Sequence, residues 1–447
     1  MTRSPDETTQ EATGWASRLA AAELVLAAAD RGVDFEAAMN ASRAYGRLQG
    51  PDRGFARAMA SMALRAMGRI DWALGGMVDR PLGEIEPPLR ALLRVGAAQL
   101  WLMDVASHAA VSATVEAARR WDIARRGGGL VNAVLRRASR EGEAFAASPA
   151  TAVWPEWLAA RMKAALGAEI ADAVALAQLD EPPVDLTLKD GAEAEMWAER
   201  LGARMLPNGS LRLASATGLT EMPGYAEGAW WVQDTAAALP AKLLGDVRGM
   251  AVADLCAAPG GKAMQLAAMG ARLTAIDISK QRTARLRENI ARAGLTMEIV
   301  EADARAWRPA EPLDGVLLDA PCSALGVIRR HPEGVWRRDP KDIGRLPAIQ
   351  RSLIDAAQLM LKPGGRLVYA VCTPLPEEGR EVVDAAVAAG GWRRLPVTAG
   401  EAAGFAEALT NAGDVLTLPK GRGAEAAPGN EDAMNPDAFF IARLERA

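Results

Sequence analysis

The sequence predicts a chain of three parts: a helical region, a small mixed region, and an α/β domain on a mostly parallel sheet. Three observations carry this. From about Val247 onward, short apolar runs alternate with helical patterns, the arrangement that βαβ units produce. Alanine is abundant and aromatics make up only 5% of the chain. Alanine-rich stretches with spaced Leu, Met and Arg favour helix, and they fill Trp15–Gly142. Between the two lie Pro182–Pro183, the turn Pro207-Asn208-Gly209 and Pro223–Gly224, which break longer elements. The expected parts span 15–145, 146–246 and 247–447.

The elements follow in order. In the helical part, Gly50–Pro51 and Pro87–Pro88 separate helices. In the last part, Met250–Cys256 reads as a strand, followed by the loop Cys256–Lys262 and a helix. Arg272–Ile278, Met297–Ala302 and Leu313–Leu318 read as the next three strands. A helix over Pro347–Leu361 leads through Pro363-Gly364-Gly365 to a fifth strand, Arg366–Val371. Phe439–Leu444 closes the chain as an antiparallel strand at the far side, and the Gly/Ala-rich Lys420–Asn435 reads as a loop.

Composition excludes several classes. With 447 residues, half of them hydrophobic, the chain can bury a large core. Three cysteines without a Cys-x-x-Cys pair argue against a disulfide scaffold and a structural zinc site. Met1–Thr13 is polar and acidic, and no run of about 18 apolar residues appears. The expectation is a cytoplasmic monomer without metal or membrane span. A net charge of −4 does not nominate a nucleic-acid binder, so that reading rests on local patches. Arg119, Arg120, Arg125, Arg126, Arg136, Arg137 and Arg140 form one, opposed in that window by Asp122 alone. Arg329, Arg330, Arg337 and Arg338 form a second, and such clusters contact phosphates. His331 reads as a structural or RNA-contacting residue, His108 as a helix cap or core residue.

Ligands of open α/β sheets bind outside the carboxyl ends of the strands. The residues placed there are Cys256, Asp277, Asp303, Asp319 and Cys372. In the loop, Gly260 and Gly261 allow close approach of backbone, and the helix N-terminus suits a carboxylate. Asp277, about 20 residues beyond the loop, is placed to take ribose hydroxyls, and Asp303 to accept from an adenine amino group. Carboxylate, ribose and adenine together describe S-adenosylmethionine. The G-x-G-x-x-G spacing of a dinucleotide site is absent, and Ala263 stands where a Walker loop needs Ser or Thr.

Two of the three cysteines occupy matching places, in Asp319-Ala320-Pro321-Cys322-Ser323 and in Tyr369-Ala370-Val371-Cys372-Thr373-Pro374. A thiolate adding to carbon 6 of cytosine makes carbon 5 nucleophilic enough to attack a methyl sulfonium. Asp319 is placed to bind the N3–N4 edge of an extruded base.

At these residues the sequence resembles the NOL1/NOP2/Sun family of RNA cytosine-5 methyltransferases. The motifs are Asp254-Leu255-Cys256-Ala257-Ala258-Pro259-Gly260-Gly261-Lys262, Asp319-Ala320-Pro321-Cys322-Ser323 and Val371-Cys372-Thr373. The resemblance implies a Rossmann-like class I methyltransferase domain, Cys372 as nucleophile and Cys322 as helper in product release. Gly326-Val327-Ile328-Arg329-Arg330-His331-Pro332 is similar to the bacterial RsmB branch, which modifies small-subunit ribosomal RNA. Pro88–Gly96, His108–Val111 and Val131–Arg136 resemble a NusB-like, all-α RNA-binding domain. The expected catalytic set is Cys372, Cys322, Asp319 and Lys262. The expected cofactor contacts are Cys256, Ala257, Ala258, Pro259, Gly260, Gly261, Lys262, Asp277, Arg282, Asp303 and Asp319. Gly379, Ala263 and the strand Leu186-Thr187-Leu188-Lys189 depart from the family's pattern and bear on which RNA is the target. Two competing readings remain: a non-catalytic assembly factor, which leaves intact Cys322, Cys372 and Asp319 unexplained, and a protein or small-molecule methyltransferase, which leaves the thiols unused.

Overall fold

The computed structural model describes residues 5–215, 218–420 and 434–447. They form two compact units. The first runs to Glu181 and includes Ile328–Arg338; the second comprises Pro182–Val327 and Asp339–Ala447. Residues 421–433 of the expected loop lie outside the described residues.

The first unit is all helix around a core that includes Leu24, Met59, Leu64, Ile70, Leu92 and Leu135. Glycines permit close contacts there: a Cβ on Gly96 would meet Leu135 at 2.4 Å, and one on Gly127 would meet Leu89 at 2.2 Å. Several buried polar groups are paired, as burial favours. Arg18 donates to Gln99 at 2.9 Å, and Arg94 grips both oxygens of Asp71 at 2.9 and 2.7 Å. Residues 146–181, expected to open the mixed region, pack within this unit. There Gln178 accepts from Trp154 Nε1 and donates to the Arg65 carbonyl.

The second unit holds two sheets. β1 (Val184–Leu188), β2 (Arg204–Met205), β3 (Leu211–Leu213) and β4 (Trp230–Val232) form a small antiparallel sheet in the order β2-β3-β1-β4. Its core gathers Leu186, Leu211 and Trp230 with Trp197. The main sheet contains β5 (Ala251–Leu255), β6 (Arg272–Asp277), β7 (Glu298–Glu301), β8 (Leu313–Asp319), β9 (Leu361–Val371), β10 (Trp392–Arg394), β11 (Val415–Thr417) and β12 (Phe439–Arg446). The order is β10-β12-β9-β8-β5-β6-β7, with β11 beside β12. β5 to β9 are parallel; β12 runs antiparallel to β9.

Successive residues of these strands feed opposite cores. Val252, Ala275, Leu317 and Val368 pack with Leu286 and Ile290 of the helix Lys280–Ala293. Ala253, Ile276, Leu318 and Leu367 pack with Ile354, Ala357 and Val383. A parallel sheet needs this double cover.

Three elements differ from the sequence reading. β9 begins at Leu361, because Pro363-Gly364-Gly365 forms an irregularity within the strand: Leu313 pairs with Leu361, but Gly315 pairs with Arg366. Gly364 takes φ +76 there, a conformation that glycine adopts at little cost. The helix expected from Pro347 begins at Pro340, where Asp339 caps it by accepting from Lys341 N, and Pro347 lies inside it. β12 is not the edge, since β10 pairs beyond it.

From β5 the chain adds β6 and β7 on one side, then β8 and β9 on the other. Such a switch point opens a crevice at the carboxyl ends of the central strands. Among the described residues no helix is long and apolar enough to cross a membrane.

Candidate active site

The loop Cys256–Lys262 leaves β5 and enters the helix Gly261–Ala268. Gly260 takes φ +113, and a Cβ there would come within 2.5 Å of Leu286. No side chain caps this helix, so its first N–H groups suit an anionic ligand. Asp277 ends β6 and is buried. Its Oδ2 accepts from Ala258 N at 3.2 Å and its Oδ1 from Ser279 N at 2.9 Å. Arg282 lies 3.3 Å from Asp277 Oδ2 and donates to the Ala258 carbonyl, so both residues brace the loop. Asp303, beyond β7, is gripped by Arg305 through both oxygens. Those hydrogen bonds hold its carboxyl below the usual range.

On the other side of the switch point, Lys262 Nζ donates to Asp319 Oδ2 at 2.7 Å. Burial alone would depress the ammonium, but Asp319, then Asp254 and Cys372, outweigh it and hold Lys262 above its ordinary value. The sulfurs of Cys322 and Cys372 are 3.3 Å apart. The hydrogen bond with Cys372, then burial, push the Cys322 thiol well up. Either sulfur can donate the S–H of this contact. Cys256 shares the rim, but burial and the charges of Asp277, Asp319 and Asp254 push its thiol up to about 12. Such a group is a poor nucleophile near neutral pH.

Ribosomal RNA small subunit methyltransferase B of Xanthomonas campestris pv. campestris is 37% identical over 392 residues, covering 84% of this chain and 88% of that protein. Its namesake in Pseudomonas putida is 36% identical over 416 residues, covering 88% and 90%. The chain belongs to the RsmB-type family of ribosomal RNA cytosine-5 methyltransferases. Consistently, the family model for 16S rRNA methyltransferase RsmB/F matches residues 241–445 and that of the NusB family matches residues 16–140. The fold is shared with PH0851, which aligns with 96% of this chain and 99% of its own at a TM-score of 0.71 and 21% identity. NSun6 from Pyrococcus horikoshii aligns with 65% of this chain and 98% of its own at a TM-score of 0.53 and 21% identity.

In this RsmB-type chain, two acidic residues of the site escaped the sequence reading as site residues. Asp254 in β5 is 1% exposed, and neither carboxylate oxygen has a hydrogen-bond partner. Burial, then the charge of Asp319, push its carboxyl well up. The available signal was an acid within the apolar run Ala251–Leu255. Glu378 is fully buried and accepts from Ser323 N at 2.8 Å. Nothing in its sequence neighbourhood marks it apart from the adjacent Glu377.

The basic patches and histidines need correction. Arg329 is 1% exposed and unable to reach a phosphate. Arg330, Arg337 and Arg338 fall with it in the first compact unit, as part of Ile328–Arg338. The first patch is exposed, but Glu116 pairs with Arg119 and Arg120, and Glu141 with Arg137, besides Asp122 with Arg125. Glu116 and Glu141 flank the window in which only Asp122 opposed the arginines, and helical spacing brings them in. His108 is exposed and caps nothing: Ala106 is the N-cap of its helix. His331 lies 3.9 Å from Glu333, with Asp34 completing a group whose ligand-type atoms fall within 4.8 Å of one another. Both carboxylates have other partners there: Asp34 caps Phe35–Ala41, and Glu333 accepts from Phe35 N.

Proposed function

We propose that this chain methylates carbon 5 of a cytosine in small-subunit ribosomal RNA with Cys372 as the nucleophile. The observation that carries the reading is a pair of thiols 3.3 Å apart, with a part-buried Lys262–Asp319 ion pair on the same rim of the switch point. Cys372 thiolate adds to carbon 6, and the ring electrons move toward carbon 5 while Asp319 holds the N3–N4 edge. Lys262 keeps Asp319 in place and offsets negative charge near Cys372. After carbon 5 has taken the methyl group, it loses its proton, the C5–C6 double bond re-forms, and Cys372 leaves. Cys322 donates its S–H to the departing thiolate, a charge-assisted hydrogen bond that favours release.

S-adenosylmethionine supplies the electrophilic methyl group. The loop Cys256–Lys262, Asp277, Arg282, Asp303 and Asp319 would hold it. The uncapped helix after Gly260 fits its carboxylate. The exposed arginines of the NusB-like domain would contact RNA phosphates. The protein acts as a cytoplasmic monomer.

The test is transfer of radiolabelled methyl from S-adenosylmethionine to unmodified small-subunit ribosomal RNA, read after digestion to nucleosides. Label in 5-methylcytosine is the expected result. Label retained in ribonuclease-resistant protein would overturn the reading, and label only in another RNA pool would overturn the target.

A further inference from the structure

Cys322 is useful only if its sulfur stays beside Cys372, and the loop that carries it is clamped from below. Glu378 Oε2 accepts from Ser323 N at 2.8 Å and from Gln350 Nε2 at 3.1 Å. The same Gln350 Nε2 donates to the Pro321 carbonyl at 3.0 Å. The backbone is thus tied on both sides of Cys322. Ser323 Oγ and Thr373 Oγ1, 3.1 Å apart, join this loop to the residue after Cys372. Tyr369 donates its hydroxyl to the Glu378 carbonyl at 2.5 Å, fixing the base of the clamp in β9. Ala324 follows at φ +56, so the loop adopts a conformation that L side chains rarely take unless surrounding bonds impose it.

Glu378 is a costly choice for this task. It is fully buried, its hydrogen-bond donors are neutral N–H groups, and Oε1 has no partner. Burial pushes its carboxyl up, against the pull of the Ser323 and Gln350 hydrogen bonds. A carboxylate kept at such a cost points to a role beyond packing.

We propose that Glu378 is a positioning residue for the release step: it holds Cys322 within hydrogen-bonding reach of Cys372. This rests on the release role given to Cys322 above. In that step the carbon-5 proton passes to water and its electron pair forms the C5–C6 double bond. The C6–S bond breaks, and its pair stays on the Cys372 sulfur. The Cys322 S–H stabilises that charge as it develops. Misplacing such a group by about 1 Å costs roughly 100-fold in rate.

The experiment compares the full-length wild type with Glu378→Ala, Glu378→Gln, Gln350→Ala and Cys322→Ala on unmodified small-subunit ribosomal RNA with S-adenosylmethionine. It reads multiple-turnover 5-methylcytosine, the denaturation-resistant protein–RNA adduct, and the melting temperature. Glu378→Ala should lower turnover by roughly 100-fold while adduct accumulates, as in Cys322→Ala. Glu378→Gln keeps an acceptor for Ser323 N and should recover most turnover with little adduct. Gln350→Ala removes the Pro321 tether alone and should raise adduct above wild type by a smaller factor, which keeps the proposal testable if Glu378→Ala misfolds. Adduct and turnover falling together in the Glu378 and Gln350 variants, while Cys322→Ala traps adduct, would overturn the positioning role and leave the release reading standing. No adduct in Cys322→Ala would overturn the release reading, and the positioning role with it.

Discussion

Cys256 and Cys372 each follow a parallel strand on the same rim of one sheet, yet their surroundings differ. Cys256, after β5, stands at φ +65 and feels Asp277, Asp319 and Asp254, with Arg282 acting against them. Cys372, after β9, faces the Cys322 thiol at 3.3 Å and lies in the field of Lys262. Burial and a ring of carboxylates keep the Cys256 thiol protonated. Thiols at matching places on one rim therefore need not be equivalent, since the groups around them differ. The acid-rich half around β5 and β6 is the one proposed to hold the cofactor, and the half around β8 and β9 carries the thiol pair.

The largest blow to this contrast is Cys372→Ala, which should lower methyl transfer by roughly 10⁴-fold or more without changing S-adenosylmethionine affinity in calorimetry. Turnover within tenfold of wild type would move the nucleophile elsewhere. Next, Lys262→Met strips the cation from Asp319 and from the field of Cys372. It should cost about 100-fold in turnover. Turnover close to that of wild type would dissociate Lys262 from the chemistry.

Asp414 tests whether a buried acid away from the rim merely destabilises. Burial pushes its carboxyl up to about 6, with Arg394 3.5 Å away acting against the shift. Because the folded value lies above the unfolded one, the stability tied to this proton is fully present below about pH 4 and is lost as pH rises through about 6. Asp414→Asn should therefore stabilise the protein at pH 8 by on the order of 3 kcal/mol at most, with a smaller gain at pH 5 and no change in turnover. Equal melting shifts at both pH values would refute the titration. The smallest effect belongs to Cys256→Ala, which as a change in the proposed cofactor loop should weaken S-adenosylmethionine binding modestly, lower turnover at saturating cofactor by less than about tenfold and cost ~1 kcal/mol of stability. A loss as large as that of Cys372→Ala would erase the distinction between the two halves.

Much of this was legible because strand ends and loop motifs are local in sequence. The runs at Arg272, Leu313 and Phe439 begin where the strands begin, and Asp277, Asp319 and Cys372 fall on one rim because parallel strands share direction. Pro363-Gly364-Gly365 misled because proline and glycine break strands in general, while here they occupy an irregularity within β9. The buried Arg329 shows the limit of counting charges along a window, since burial depends on residues far away in the chain. The Glu378 clamp was invisible for the same reason: its partners Ser323 and Gln350 are 55 and 28 residues distant.

The most direct test of the account uses small-subunit ribosomal RNA made with 5-fluorocytidine, in which carbon 5 carries fluorine that no base can remove as a proton. With S-adenosylmethionine, the wild-type protein should form a stable methylated adduct, and peptide mass spectrometry should place the RNA link on Cys372. A link on Cys322 or Cys256, or no adduct alongside normal methylation of ordinary RNA, would contradict it.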